Sequence, residues 1–194
     1  MNARDPMGAT PLHDAVWSGN REIVLYLIAH GANVNAPHAE GGSQPLAYAC
    51  IKNDIPMVEI LLAHGADLHA ADNAGETPLQ VAVSRGYLQL AGLLVERGGE
   101  VNRRDNSGAA PLDEAAGRGY AAIAGLLLDH GARAGEENPL TGSTPLNEAA
   151  RRGHKEVVAL LLAHGADPAR RDRSGATPLE EAARGRYGEV VDLL

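Results

Sequence analysis

The sequence predicts an all-α repeat solenoid, and three observations carry that prediction. A six-residue pattern recurs along the chain, as TPLHDA from Thr10, QPLAYA from Gln44, TPLQVA from Thr77, APLDEA from Ala110, TPLNEA from Thr144 and TPLEEA from Thr177. The prolines within it, at 11, 45, 78, 111, 145 and 178, are 34, 33, 33, 34 and 33 residues apart. The apolar side chains are mostly Ala and Leu, with one Trp and no Phe, which suits thin, closely packed layers. A fixed period of this size marks stacked units, so the 194 residues count repeats rather than domains.

The third unit, Asp72 to Arg104, shows why each element forms. Asp72-Asn-Ala-Gly75 is a turn, in which Asp bonds the backbone ahead of it and Gly takes a positive φ. The same turn stands at Asp5–Gly8, Asp105–Gly108 and Asp172–Gly175. Thr77 is an N-cap and Pro78 a first helical residue, where a missing N–H costs nothing, so a short helix begins there and runs to about Arg85. Leu79 and Ala82, three apart, face inward. Gly86 ends this helix; a second, about Leu88 to Arg97, carries Leu90, Leu93 and Leu94 at the spacing of a buried stripe and stops at Gly98. Glu100 to Arg104 is an extended link that pairs as a hairpin with the turn after it.

Turn, short helix, longer helix and hairpin under a T-P-L-H-x-A signature resemble the ankyrin repeat. The resemblance covers nearly the whole chain as six units, about 5–37, 38–71, 72–104, 105–137, 138–171 and a partial 172–194, expected to form a single array over 1–194. It implies a curved solenoid of stacked antiparallel helix pairs linked by β-hairpin loops that project at one side. The departures are specific. The motif His survives only as His13 and is replaced by Ala47, Gln80, Asp113, Asn147 and Glu180, so the hydrogen bond it makes beside the Thr is expected to be altered or absent. Repeats two and five carry one extra hairpin residue, near Gly41-Gly42 and Pro139–Gly142. Asn53 and Arg186 replace the glycine between the helices; Asn tolerates the left-handed region, whereas Arg186 predicts a distorted turn. Asn2–Asp5 matches the tail of a preceding hairpin and Leu194 falls within a second helix. Neither end has a dedicated cap, so a segment of a longer array or multidomain protein is expected.

Composition bounds the partners. The formal net charge is −8, and although 12 of the 17 basic residues follow Gly98, 15 acids accompany them, so no continuous basic surface for nucleic acid is expected. No apolar run approaches the roughly 20 residues that span a bilayer, and no signal-peptide pattern opens the chain, so membrane insertion is not expected. Cys50 stands alone, excluding an intramolecular disulfide and suiting a reducing, intracellular and cytoplasmic setting. The oligomeric state stays open, with a monomer expected and end-to-end association as the alternative.

No residue pattern here points to catalysis, a cofactor or a metal. His30, His64, His130 and His164 recur in H-G-A, but they lie in different repeats, and helices roughly 8–10 Å apart cannot bring them within about 2 Å of one ion. Each suits the negative end of its helix dipole instead. Asp113-Glu114 and Glu180-Glu181 point in different directions, and no activated nucleophile accompanies them. Glu114 with Arg118 and Glu148 with Arg152 are i, i+4 surface pairs. No phosphate-loop pattern contains Gly41-Gly42. Cys50 replaces a core alanine. The resemblance implies that hairpin asparagines such as Asn35 and Asn102 can be hydroxylated in some animal members, but hairpin hydrogen bonding alone accounts for them.

The residues two, five and six after the motif leucine face away from the inward stripe and are expected to line the concave surface. The first row is Asp14, Tyr48, Val81, Glu114, Glu148 and Glu181; the second is Trp17, Ile51, Ser84, Gly117, Arg151 and Arg184. The third is Ser18, Lys52, Arg85, Arg118, Arg152 and Gly185. Trp17, Tyr48, Ile51 and Val81 form an apolar cluster, followed by alternating Glu and Arg. Such a patch marks an interaction site, and Trp, Tyr and Arg are enriched at hot spots. Trp17 has a second reading, as a cover over the apolar N-terminal layer. Hairpin tips offer another surface, where Arg103-Arg104 and Arg170-Arg171 are separated by Glu136-Glu137. The expected function is a non-catalytic module holding a protein or peptide across the groove through Asp14, Trp17, Tyr48, Ile51, Val81, Arg85, Glu114, Arg118 and Arg151. Trp17 and Tyr48 are its expected anchors, and Arg85, Arg118 and Arg151 select acidic groups. The alternatives are a regulatory or targeting array of a larger enzyme or toxin, and an engineered or purely structural array.

Overall fold

A computed structural model describes residues 2–194. Among the described residues there are twelve helices and no strand. The helices divide between two compact units, one ending at Gly99 and the other spanning Glu100–Leu194.

The first unit holds α1 (Pro11–Ser18), α2 (Arg21–Ala29), α3 (Pro45–Ile51), α4 (Ile55–Ala63), α5 (Pro78–Ser84) and α6 (Leu88–Glu96). Each first helix starts on the motif proline and packs against its own second helix, and α3 lies between α1 and α5. The motif leucines Leu12, Leu46 and Leu79 are each 1% exposed, and Ala15, Ala49 and Ala82 beside them are buried, which lets neighbouring helices approach closely. Each such leucine contributes roughly 1.5–3 kcal/mol through burial. On α6 the buried set is Leu90, Ala91, Leu94 and Val95, whereas Leu93 is only half-buried. Ile23 is 48% exposed although its equivalents Met57 and Leu90 are fully covered.

The second unit repeats the plan with α7 (Pro111–Arg118), α8 (Ala121–Asp129), α9 (Pro145–Arg152), α10 (Lys155–Ala163), α11 (Pro178–Gly185) and α12 (Gly188–Val191). Here α9 packs between α7 and α11, and α10 between α8 and α12. Leu112, Leu127, Leu146 and Leu161 fill its core.

The connecting loops are hairpin-like turns closed by too few backbone bonds to form a strand. Asp72 N–H donates to Glu76 O at 3.1 Å and Gly75 N–H to Asp72 O at 2.9 Å, while the Asp72 carboxylate accepts from Ala74 and Glu76. The longer loops absorb their extra residue inside the same closure, with His38 N–H on Ser43 O at 2.9 Å and Asn138 N–H on Ser143 O at 2.8 Å. Successive loop tips interlock: Ala39 N–H donates to Gly8 O at 3.1 Å, so close that a Cβ on Gly8 would lie 2.5 Å from that of Ala39.

The helix-to-helix turn of repeat six is regular, correcting the distortion expected there. Arg186 adopts φ 60°, ψ 33°, near the 76° and 24° of Gly153, and its N–H reaches Ala183 O as the glycine's reaches Ala150 O. The turn's hydrogen bonds and the packing of α11 on α12 hold an Arg in a conformation that L-residues disfavour.

The motif histidine's task is retained by different chemistry. His13 Nδ1 accepts from Thr10 N–H at 3.1 Å, and Gln80 Oε1, Asn147 Oδ1, Asp113 Oδ2 and Glu180 Oε2 accept the equivalent N–H of Thr77, Thr144, Ala110 and Thr177. Any acceptor of suitable reach satisfies that N–H. Only Ala47 cannot, and at that repeat Gln44 Oε1 is buried without a partner.

Candidate functional site

On the first-helix face of the first unit, three elements build one aromatic cluster. Asp14 and Trp17 are exposed three residues apart on α1, hence on one face. The Trp17 ring, 52% exposed, stands edge-on to Tyr48 of α3, with centroids 5.9 Å apart and planes at 81°. Tyr48 in turn is edge-on to His13 at 5.1 Å and stacked on the loop residue His38 at 6.1 Å. Lys52, directly after α3, holds its ammonium 5.2 Å from the Trp17 ring centroid and donates to the Trp17 carbonyl oxygen. Each aromatic pair contributes about 0.5–1.5 kcal/mol beyond area burial, and an exposed cation–π contact about 0.5–1 kcal/mol.

The repeat itself sets this geometry. With Nδ1 accepting from Thr10, His13 carries its proton on Nε2 and donates to Ser43 O at 3.2 Å, fixing the ring beneath Tyr48. Burial lowers the His13 pKa and favours the neutral ring. Burial, then the Asp14 and Asp5 carboxylates, raise the Tyr48 phenol, so its hydroxyl stays protonated at neutral pH. Trp17 thus turns toward repeat two. The open apolar shelf of repeat one is lined by Pro11, Ala15, Ile23 and Leu27 with Asp14 and Ser18, and the indole does not cover it.

Of the other residues expected on this face, Ile51 is half-buried and Arg85 is exposed. Val81 does not belong with them: at 6% exposure it is part of the core. A short branched side chain ends among its neighbours at a position from which the longer Glu114 reaches solvent.

The corresponding positions of the second unit are charged and mutually neutralised. Arg118 Nε bonds Glu114 at 2.5 Å, which holds the guanidinium pKa up; Arg151 pairs with Glu148, with Arg152 3.8 Å from the same carboxylate; Arg184 pairs with Glu181 at 2.7 Å. A cavity of about 300 Å³ opens there, lined by Asp113, Glu114, Arg118, Asn138, Glu148 and Arg152 among others. Gly117, expected on the second row, is buried beneath Arg152. Asp113 is 8% exposed; burial pushes its carboxyl up to about 6, against the opposing pull of Ala110 N–H and the Arg104 guanidinium at 3.1 Å. Arg104 also donates to Gly108 O at 2.7 Å and approaches Glu136 at 3.4 Å.

The loop-tip cations are matched too: Arg103 with Glu100, Arg170 with Glu137 and Arg171 with Glu180. The H-G-A histidines are helix ends, each donating Nδ1–H to the carbonyl four residues back, at 2.7 Å for His30 and 2.8 Å for His64, His130 and His164. Asn35 clamps the next repeat through Gly65 O at 2.9 Å and Asp67 N–H at 2.8 Å, and Asn102 does so through Gly131 O and Arg133 N–H. Cys50 is fully buried, its thiol pushed up to about 12 by desolvation. Among the described residues, no helix is long and apolar enough to cross a membrane.

Comparison with known proteins agrees with the geometry. A model of ankyrin repeats in three copies matches residues 37–105 and 112–194, and a single-repeat model matches 7–39. B-cell lymphoma 3 protein homolog of Mus musculus is 38% identical over 77 residues, 40% of this chain and 17% of that protein. BCL-6 corepressor-like protein 1 of Homo sapiens is 38% identical over 77 residues, 40% of this chain and 4% of that protein. RelA-associated inhibitor of Mus musculus is 44% identical over 63 residues, 32% of this chain and 8% of that protein. The match therefore spans only a small part of these relatives.

Proposed function

From the premise that the chain belongs to the ankyrin-repeat family, whose repeats are protein-interaction modules and generally not catalysts, we propose that it binds a protein or peptide partner on the first-helix face of its first unit. The observation that carries this reading is the aromatic cluster: Trp17 is half exposed yet held against Tyr48 and Lys52. A large apolar surface already ordered by folding loses little further freedom when a partner covers it. Trp17 and Tyr48 are the anchors, Ile51 extends the apolar floor, and Asp14 and Arg85 edge it. Glu114, Arg118 and Arg151 have secondary roles, because a partner has to break an existing ion pair to engage any of them.

A second reading, that the repeats are a regulatory or targeting part of a larger protein, is favoured by relatives of which the matching stretch is at most 17%. Both readings use the same face. The test is affinity capture with mass spectrometry from a matched cell extract, comparing the parent with a Trp17→Ala/Tyr48→Ala double variant whose helix content is verified by circular dichroism. A partner held by the parent and weakened at least about 30-fold by the double variant is expected, the loss typical of hot-spot anchors. Equal recovery by both proteins refutes the face as the binding site.

A further inference from the structure

The two units treat the same repeat positions differently. At the position six after the motif leucine, the second unit's two cations each have a carboxylate four residues before them: Arg118 follows Glu114, and Arg152 follows Glu148. In the first unit the equivalent cations are Lys52 and Arg85, and the residues four before them are Tyr48 and Val81. Both cations are exposed, and neither forms an ion pair among the described residues. The unit's second-helix cations, by contrast, are matched, Arg21 with Asp54 at 3.1 Å and Arg97 with Glu59 at 3.6 Å. The exchange of Glu for Tyr and Val removes the internal counter-charge and, at Tyr48, adds apolar floor beside the uncompensated cation.

Resting on the proposed binding face, we infer that its partner is an acidic peptide segment, whose Asp or Glu side chains fill at Lys52 and Arg85 the role that Glu114 and Glu148 fill in the second unit. An apolar or aromatic side chain of the same segment covers Trp17, Tyr48 and Ile51. The helix dipoles favour cations at these C-terminal ends without neutralising them, so the positive charge stays available to a ligand. Lys52 is anchored only by the Trp17 carbonyl and ring, and its ammonium keeps hydrogen-bonding capacity for a carboxylate. Lys52 and Arg85 occupy equivalent places on packed neighbours α3 and α5, which puts them roughly 8–10 Å apart at the usual helix spacing. An extended segment in the polyproline II conformation has three residues per turn and rises about 3.1 Å per residue, so two carboxylates three residues apart share a face and match that separation.

The experiment is selection of a displayed random dodecapeptide library on the whole chain, followed by fluorescence-polarisation titration of the best peptide. Enrichment of peptides with two acids about three apart and an adjacent large apolar residue is expected. Lys52→Ala and Arg85→Ala should each weaken the best peptide about tenfold, as loss of a charge-assisted bond does, and raised salt should weaken it further. Both substitutions are at exposed sites.

Three results overturn the inference. Enriched peptides that are neutral or basic but still need Trp17 and Tyr48 leave the binding face standing and exclude the acidic partner. Equal binding of an acidic peptide without apolar residues, or of oligo-dT, means that bare charge is being read. Absence of any enrichment dependent on Trp17 and Tyr48 removes the face together with the inference.

Discussion

Replacing Asp113 by Asn should stabilise the protein, and only at neutral and alkaline pH. The Asp113 carboxyl, 8% exposed, has its pKa raised from 3.8 to about 6 in the folded chain, chiefly by burial. A folded-state value above the unfolded one means that ionisation favours the unfolded chain. The penalty is absent below about pH 4, grows as pH rises between the two values, and is complete above about pH 6. At about 1.4 kcal/mol per unit, the shift corresponds to about 3 kcal/mol at pH 7 to 8. Asn keeps an acceptor for Ala110 N–H, as Asn147 does for Thr144 at 3.0 Å, and the attraction of Arg104 is already contained in the raised value, because it is one of the effects that oppose burial. The net expectation is a gain of up to about 3 kcal/mol at pH 8 that disappears at pH 4. Urea unfolding of both proteins at pH 4, 6 and 8, followed by circular dichroism, measures it. A difference that does not vary with pH, or that favours the Asp113→Asn variant more in acid, refutes the reasoning.

Two further changes test the local readings of the fold. The pair Gln44→Thr/Ala47→Gln copies the cap of repeat three, giving the orphaned α3 N-terminus the acceptor it lacks, and should raise stability in urea by about 1–2 kcal/mol; an unchanged midpoint would show that the buried Gln44 oxygen costs nothing. Arg186→Gly should add about 1 kcal/mol by relieving the left-handed φ of 60°, read as a higher thermal midpoint, and a lower midpoint would mean that the Arg side chain outweighs the strain.

Much of the fold was legible because its signals are local. T-P-L starts a helix wherever it occurs, since a cap oxygen and a preset φ act within one turn, and α1, α3, α5, α7, α9 and α11 each begin on the motif proline. The 33- to 34-residue spacing likewise gives the number of units, because each unit cannot bury its apolar side alone. The regular turn at Arg186 was not legible: intrinsic preference speaks against it, and the bonds and packing around the turn override that preference.

The binding-face rows were legible as faces but not as environments. Helical spacing places Trp17, Tyr48, Val81 and Glu114 at related positions, yet only packing buries Val81 to 6% and leaves Trp17 at 52%. The sequence by itself determined the repeat, its caps, its core stripe and the supply of Trp, Tyr and Arg on the first helices, all of which depend on neighbours within a few residues. Only the tertiary structure decided that Trp17 leans on Tyr48 rather than over the end and that Arg104 reaches Asp113 nine residues away. Those outcomes depend on distances between side chains brought together from separate helices and loops, which no periodicity encodes.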